Sequence, residues 1–242
     1  MQSPWRRWLP ALPYLVTACA AMVIGSASVS AGTPAVQRTR PSRAPQAVTA
    51  DDVIRLILSR NPALKSYTAH VHLDIRQLNF PYLHPVLDGT MYYKSPGLIV
   101  SSFPHVPFYL KSVNFEQSTA YAATKFKQCY SVSVIDKGDH YFLHMEPYIH
   151  SRVKSLDVKV AKTDGAVQHM EWHYLQDPRD HIILDLHYSK VEGYDVVTAE
   201  TTDIRVDHIR AIGLSLIDGF LFNVPVPTPT PPVAGHECSN LG

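Results

Sequence analysis

The sequence predicts a mainly β protein with few helices, an α+β chain built on one large, strongly curved antiparallel sheet. Apolar side chains recur at every second position through most of the chain, short turn-like segments separate these stretches, and one segment alone has clear helical spacing. Connections this short join antiparallel neighbours, because parallel strands need crossovers of about a dozen residues or more.

The helix comes first. Thr49 is a good N-cap, Asp52 stands three residues on, and Val53, Ile54, Ile57 and Leu58 make one apolar stripe between Asp51 and Arg60 before Pro62 stops the pattern. Alternation then begins in "YTAHVHLDI", where Tyr67, Ala69, Val71, Leu73 and Ile75 face one way and His70, His72 and Asp74 the other. "LDGTMYYKSPGLIVSSF", Leu87 to Phe103, reads as a strand, a tight turn at Ser95-Pro96-Gly97 and a second strand. The two-faced pattern returns in Tyr130/Val132/Val134, Tyr141/Leu143/Met145, Leu156/Val158/Val160, Met170/Trp172/Tyr174 and Ile182/Leu184/Leu186/Tyr188. Turns are expected at Lys137-Gly138-Asp139, Thr163-Asp164-Gly165, Asp177-Pro178-Arg179-Asp180 and Glu192-Gly193-Tyr194, so the strands should follow one another as a consecutive meander. Pro107 to Lys127 breaks the alternation, and "EQSTAYAATKF" within it is either a second helix or an irregular flap.

The ends read differently. Arg6 and Arg7, the apolar run "LPALPYLVTACAAMVIG" and the small residues "SASVSAG" have the order of a secretory signal over residues 1–31, with cleavage after Ala31. Pro10 and Pro13 interrupt that run, which argues against a membrane anchor. Val16-Thr17-Ala18-Cys19 also matches a lipobox, which makes Cys19 a candidate lipidation site, although apolar sequence continues past it to Ile24. Residues 32–47 have the composition of a flexible linker and residues 226–242 that of a Pro-rich disordered tail, leaving 48–225 as the folded domain. The expected location is the periplasm or cell envelope.

Cleavage removes Arg6 and Arg7 and no acid, leaving 20 Lys and Arg against 21 Asp and Glu. A near-neutral chain has no electrostatic footprint for nucleic acid. Cys129 and Cys238, the cysteines left after the signal, can pair after export but do not make a disulfide framework.

Histidine is enriched, at 13, and the pairs His70/His72, His140/His144, His169/His173 and His181/His187 each project from one side of a strand. They lie mostly opposite the apolar face, so they read as solvated surface, and no spacing names a metal site. His236-Glu237-Cys238 has metal-competent residue types in a tail without fixed geometry. There is no G-x-S-x-G, H-E-x-x-H, P-loop or G-x-G-x-x-G motif, and the carboxylates read as scattered and solvated, so no residue is nominated for catalysis and no cofactor is expected.

An extended sheet with one apolar face must bury that face against something. One helix covers it only in part, so either the sheet closes on its own side chains or the concave face receives an apolar guest. Methionine and aromatic residues, which adapt to irregular hydrophobic shapes, are frequent on the alternating face.

Four segments in order resemble the LolA-like family of periplasmic lipoprotein carriers and sorting factors. They are the helix "TADDVIRLILSR", the turn "GTMYYKSPGLIV", the run "DGAVQHMEWHYLQDPRDHIILDLHYSKVEGYDV" and the closing phrase "DGFLFNVPVP". The resemblance spans about Thr49 to Pro227 and implies an incomplete barrel with helices covering its mouth around an apolar cavity for acyl chains. Met91, Tyr93, Ile99 and Phe103 would then line or cover that cavity, with Val71, Leu73, Ile75, Leu143, Met145, Met170, Trp172 and Leu184 as further lining candidates. Family members commonly have an arginine before the turn proline as a lid latch; Ser95 stands there in this chain.

The expected function is non-enzymatic: a monomeric, exported carrier whose partners are a lipid or an acylated lipoprotein and, in addition, inner- or outer-membrane envelope proteins. An aspartate at Trp172 or Val71 is expected to abolish lipid binding without unfolding. The alternatives are an envelope sensor or scaffold of the same fold and, further off, a histidine-based metal-dependent enzyme.

Overall fold

The computed structural model describes residues 47–80, 82–95, 98–106, 127, 129–149 and 151–227. The signal segment with Cys19, the candidate second helix at 116–126, Pro96-Gly97 and the tail tripeptide His236-Glu237-Cys238 lie outside them.

The first element is the helix α1, Ala50–Leu58. Its N-terminus closes as a capping box: the Asp52 backbone N–H donates to Thr49 Oγ1 at 3.3 Å, and the Thr49 N–H donates to Asp52 Oδ2 at 3.0 Å. The hydrogen bonds from Thr49 hold the Asp52 carboxyl below its ordinary value. Thr49→Ala removes one of the helix's few non-packing supports and should cost about 1 kcal/mol in urea unfolding. An unchanged midpoint would mean that packing alone fixes the helix start.

Ten strands follow: β1 (Ser66–Gln77), β2 (Val86–Lys94), β3 (Leu98–Ser102), β4 (Tyr130–Asp136), β5 (His140–Pro147), β6 (Val153–Ala161), β7 (Val167–Tyr174), β8 (His181–Val191), β9 (Tyr194–Val206) and β10 (Ile209–Phe222). They form a single antiparallel sheet in the order β3-β2-β1-β10-β9-β8-β7-β6-β5-β4. The expected meander is therefore two meanders. β1 pairs with β10 across almost the whole chain, while β3 and β4, consecutive in sequence, stand at opposite edges. The sheet is not closed into a barrel, since β3 and β4 do not pair.

Turn chemistry fits two of the tightest reversals. Glu192 and Gly193, both at positive φ, close the β8–β9 hairpin, and Asp207 and His208 do the same between β9 and β10. Bulges between Thr68 and His70, and between His187 and Tyr188, break the register and add local bend to the sheet.

The helix packs against the β4 to β9 side of the sheet's inner face. Val53, Ile54 and Ile57 are buried in the core cluster. Lys127, just before β4, donates to Asp51 at 2.6 Å, and Arg60 meets Asp164 at 3.4 Å while its guanidinium lies 3.8 Å above the Tyr188 ring. Asn61 brackets the Asp195 backbone, accepting its N–H at 2.9 Å and donating to its carbonyl at 2.7 Å. Gly165 lies directly beneath the helix, where an added Cβ would stand 2.6 Å from the Leu56 carbonyl oxygen. The helix thus runs from the start of β4 to the β6–β7 and β8–β9 turns. It is the one helix of more than a turn among the described residues, where the family resemblance implied several over the mouth.

Candidate functional site: the inner face of the sheet

Strand register brings the inward side chains into rows. One row passes across eight strands as Ile75, Gly213, Thr202, Leu184, Met170, Val158, Leu143 and Val134, each the direct cross-strand partner of the next. The next contains Ala211, Ile204, Ile182, Trp172, Leu156, Met145 and Val132. On the other side of the long row, Leu73 faces both Leu87 and Ser215.

All twelve residues expected from sequence to line a cavity lie on this face. Val71, Leu73, Ile75, Met91, Tyr93, Ile99, Phe103, Leu143, Met145, Met170 and Leu184 are buried, and Trp172 is half-buried. Val71 is 1% exposed at the junction of the two meanders, between Ile217 on β10 and Gly89 on β2. That position makes it a residue of the fold, so an aspartate there is now expected to unfold the chain. Phe103 lies over Gly89, whose missing side chain makes the space: a Cβ there would meet the ring at 2.6 Å and the Ser102 carbonyl oxygen at 2.4 Å.

At the end of the sheet where β1 begins, the inner face becomes aromatic. The Tyr67 ring stacks on Tyr93 at 5.0 Å and meets Phe220 edge-on at 5.4 Å, and Tyr194 lies 4.8 Å from Phe222. Burial pushes the Tyr93 phenol up, with Ser95 pulling in the opposite direction. Ser95 itself donates its backbone N–H to the Lys65 carbonyl at 2.8 Å, which ties the β2–β3 turn to the segment entering β1.

Sequence reasoning missed a charged residue on this face. Glu200 is 1% exposed and stands in register with Ser215 on one side and Leu186 on the other. Its signal was available, because Glu200 shares the parity of Ile204 and Val206 in "ETTDIRV".

The outer face carries the histidines, as the alternation required, but they are not simply solvated. His144 Nδ1 and His173 Nε2 both reach Asp157, at 2.6 and 3.0 Å, from the strands on either side of it. His72 pairs with Asp88 at 2.8 Å, His169 with Asp185 at 2.7 Å, and His84 with Asp74. These carboxylates sit within strands or opposite a strand histidine, so the reading of scattered, solvated acids is corrected. The pairing depends on cross-strand register, which sequence spacing does not contain. Among the described residues no group of three or more His, Cys, Asp or Glu is arranged to hold a metal ion. Cys129, buried immediately before β4, is held in a disulfide.

The fold is similar to that of a DUF1329 family protein from Desulfovibrio piger, with a TM-score of 0.54 at 11% identity over 74% of this chain and 93% of that one. An outer-membrane lipoprotein-sorting protein domain from Vibrio parahaemolyticus gives a TM-score of 0.53 at 8% identity, over 80% of this chain and 99% of that one. A LolA superfamily protein from Nitrosomonas europaea gives 0.46 at 8% identity, over 75% and 96% of the two chains. No family model matches this chain, and no curated protein matches it in sequence. At such identities the likeness is one of fold: the mainly β, open antiparallel sheet expected from sequence is found, and the several helices expected over its mouth are not among the described residues.

Proposed function

We propose that this chain is an exported, non-enzymatic carrier that shields the acyl chains of a lipid or lipoprotein on the inner face of its open sheet. One observation carries the reading. An apolar inner face runs through all ten strands, and among the described residues a nine-residue helix is the one element of regular structure laid against it. The shared fold with a lipoprotein-sorting domain supports the same conclusion. Sequestering an acyl chain stabilises the complex by about 0.8 kcal/mol per methylene, so a few chain segments offset the cost of ordering the protein around them. Release then follows from differential affinity: an acceptor that binds the chain better, or the carrier worse when open, draws the lipid out.

In this reading the inner face opens for the guest to reach Met170, Leu184 and Leu143, which are buried, while half-buried Trp172 is reachable as it stands. Trp172 is the practical probe, because it is half-buried where its neighbours in the row are buried. Mass spectrometry of an organic extract of the native protein should recover stoichiometric acyl lipid, and Trp172→Asp should lose most of it while keeping the wild-type circular dichroism spectrum. A lipid-free protein that instead carries one stoichiometric polypeptide would replace the carrier with a sensor or scaffold.

A further inference from the structure

The large apolar side chains left in water are distributed unevenly. Antiparallel order places the β1–β2, β5–β6, β7–β8 and β9–β10 turns at one rim of the sheet and the β2–β3, β4–β5, β6–β7 and β8–β9 turns at the other. The first rim carries Leu78, Phe80, Tyr82, Tyr148, Ile149 and Leu175, all exposed, with Tyr82 the most so at 77%. Among the described residues the turns of the opposite rim expose no large apolar side chain, and the remaining exposed ones lie within β2, β4 and β10.

The same rim carries positive charge in an arrangement that a sheet ordinarily avoids. Arg210 on β10 stands directly opposite Arg205 on β9, which stands opposite His181 on β8. Like charges in register across strands are destabilising. Arg76, two residues before Leu78, joins them from β1, where it faces Ile212. Nearby acids are mostly engaged elsewhere: Asp207 pairs with Arg152, Asp180 accepts the Asp207 backbone N–H, Asp74 pairs with His84, Asp203 faces Ile212 from the other side, and Asp177, whose pKa hydrogen bonds from Arg179 lower to about 2, also feels Arg205. Arg76, Arg205 and Arg210 form no ion pair among the described residues, and Arg76 and Arg210 are exposed.

The rim is also stiff. Arg152 in the β5–β6 turn reaches past Gln176 of the β7–β8 turn, bonding it at 3.3 Å, to pair with Asp207 of the β9–β10 turn. The Leu78 N–H donates to the Arg210 carbonyl at 2.7 Å, and the Leu175 N–H to the Arg152 carbonyl at 2.9 Å. Four turns are thus linked into one edge whose apolar tips are presented together.

We propose that this rim docks the protein on an anionic lipid surface, with Phe80, Tyr82 and Tyr148 entering the headgroup layer and Arg76, Arg205 and Arg210 facing lipid phosphates. Aromatic side chains partition to that layer because one end of the ring is apolar and the other polar. The arginine row, which makes no ion pair among the described residues, supplies the charge complementarity that favours a bilayer over an apolar protein groove. The surface is independent of what the inner face holds.

The test is vesicle flotation of the native protein on phosphatidylcholine alone and on phosphatidylcholine with roughly one quarter phosphatidylglycerol. Flotation should require the anionic lipid and weaken as salt rises. Arg205→Gln with Arg210→Gln should weaken binding about tenfold or more, since each arginine near an anionic surface contributes severalfold. Phe80→Ser with Tyr82→Ser should weaken it comparably on the same vesicles. Ile135→Ser, on β4, is the matched control and should change nothing; all of these positions are at least partly exposed, so thermal melts should stay at wild type. Equal flotation on both vesicles, rim variants that float like wild type, or capture by a protein without vesicle binding would each overturn the proposal.

Discussion

Val71→Asp is expected to leave no stably folded protein. The side chain is 1% exposed and lies between Ile217 and Gly89, at the seam where the N-terminal meander meets β10. A carboxylate there has apolar neighbours in register on both sides and either remains charged without a partner or takes up a proton, and both routes are costly. The loss should be about 4–5 kcal/mol, at the upper end for single substitutions and comparable to the whole stability of a marginal domain. Val71→Ala gives the graded comparison: it leaves a small cavity without a charge and should cost about 2–3 kcal/mol. Urea unfolding followed by circular dichroism separates the two. A Val71→Asp protein that melts cooperatively near the wild-type midpoint would mean that the seam opens and admits water.

Gly165→Ala is expected to dislodge α1 from the sheet. Gly165 has φ +72, and an added Cβ would meet the Leu56 carbonyl oxygen at 2.6 Å, its carbonyl carbon at 2.8 Å and Ile57 Cα at 3.0 Å. These are backbone atoms of the helix end, so no rotamer change relieves the contact. Gly193 is the control: it has φ +90 with nothing within 4 Å of a built Cβ. Gly193→Ala should therefore cost the conformational strain alone, about 1–2 kcal/mol. Gly165→Ala carries a similar strain and the displacement of Val53, Ile54 and Ile57 as well, adding about 2 kcal/mol or more. Equal losses at the two sites would show that the helix end yields freely, and the helix could then not be a fixed element of the inner face.

Most of the local structure was legible. Thr49 and Asp52 announce the helix, and the described helix starts one residue before the expected Asp51 and ends two before Arg60. The Glu192-Gly193 turn and the alternation in "YTAHVHLDI" each specify their conformation through steric and packing rules that act over a few residues. The inner and outer parity of every strand named from sequence is the parity found. The two longest strands, β9 and β10, were absent from that list, and the polar Glu200 interrupts the apolar series of the first.

What the sequence by itself determined is which side of each strand avoids water, because backbone geometry sends successive side chains to opposite faces and solvent then sorts them. Tertiary structure decided which strands adjoin. Val71 meets Ile217 only because β1 recruits β10 from the far end of the chain, and Asp157 meets His144 and His173 only through the register of β5, β6 and β7. The physical reason is that alternation makes a strand amphipathic without naming its neighbour. The partner and the register follow from the simultaneous packing of ten strands and one helix, and with them come the rim of apolar turns and the opposed arginines.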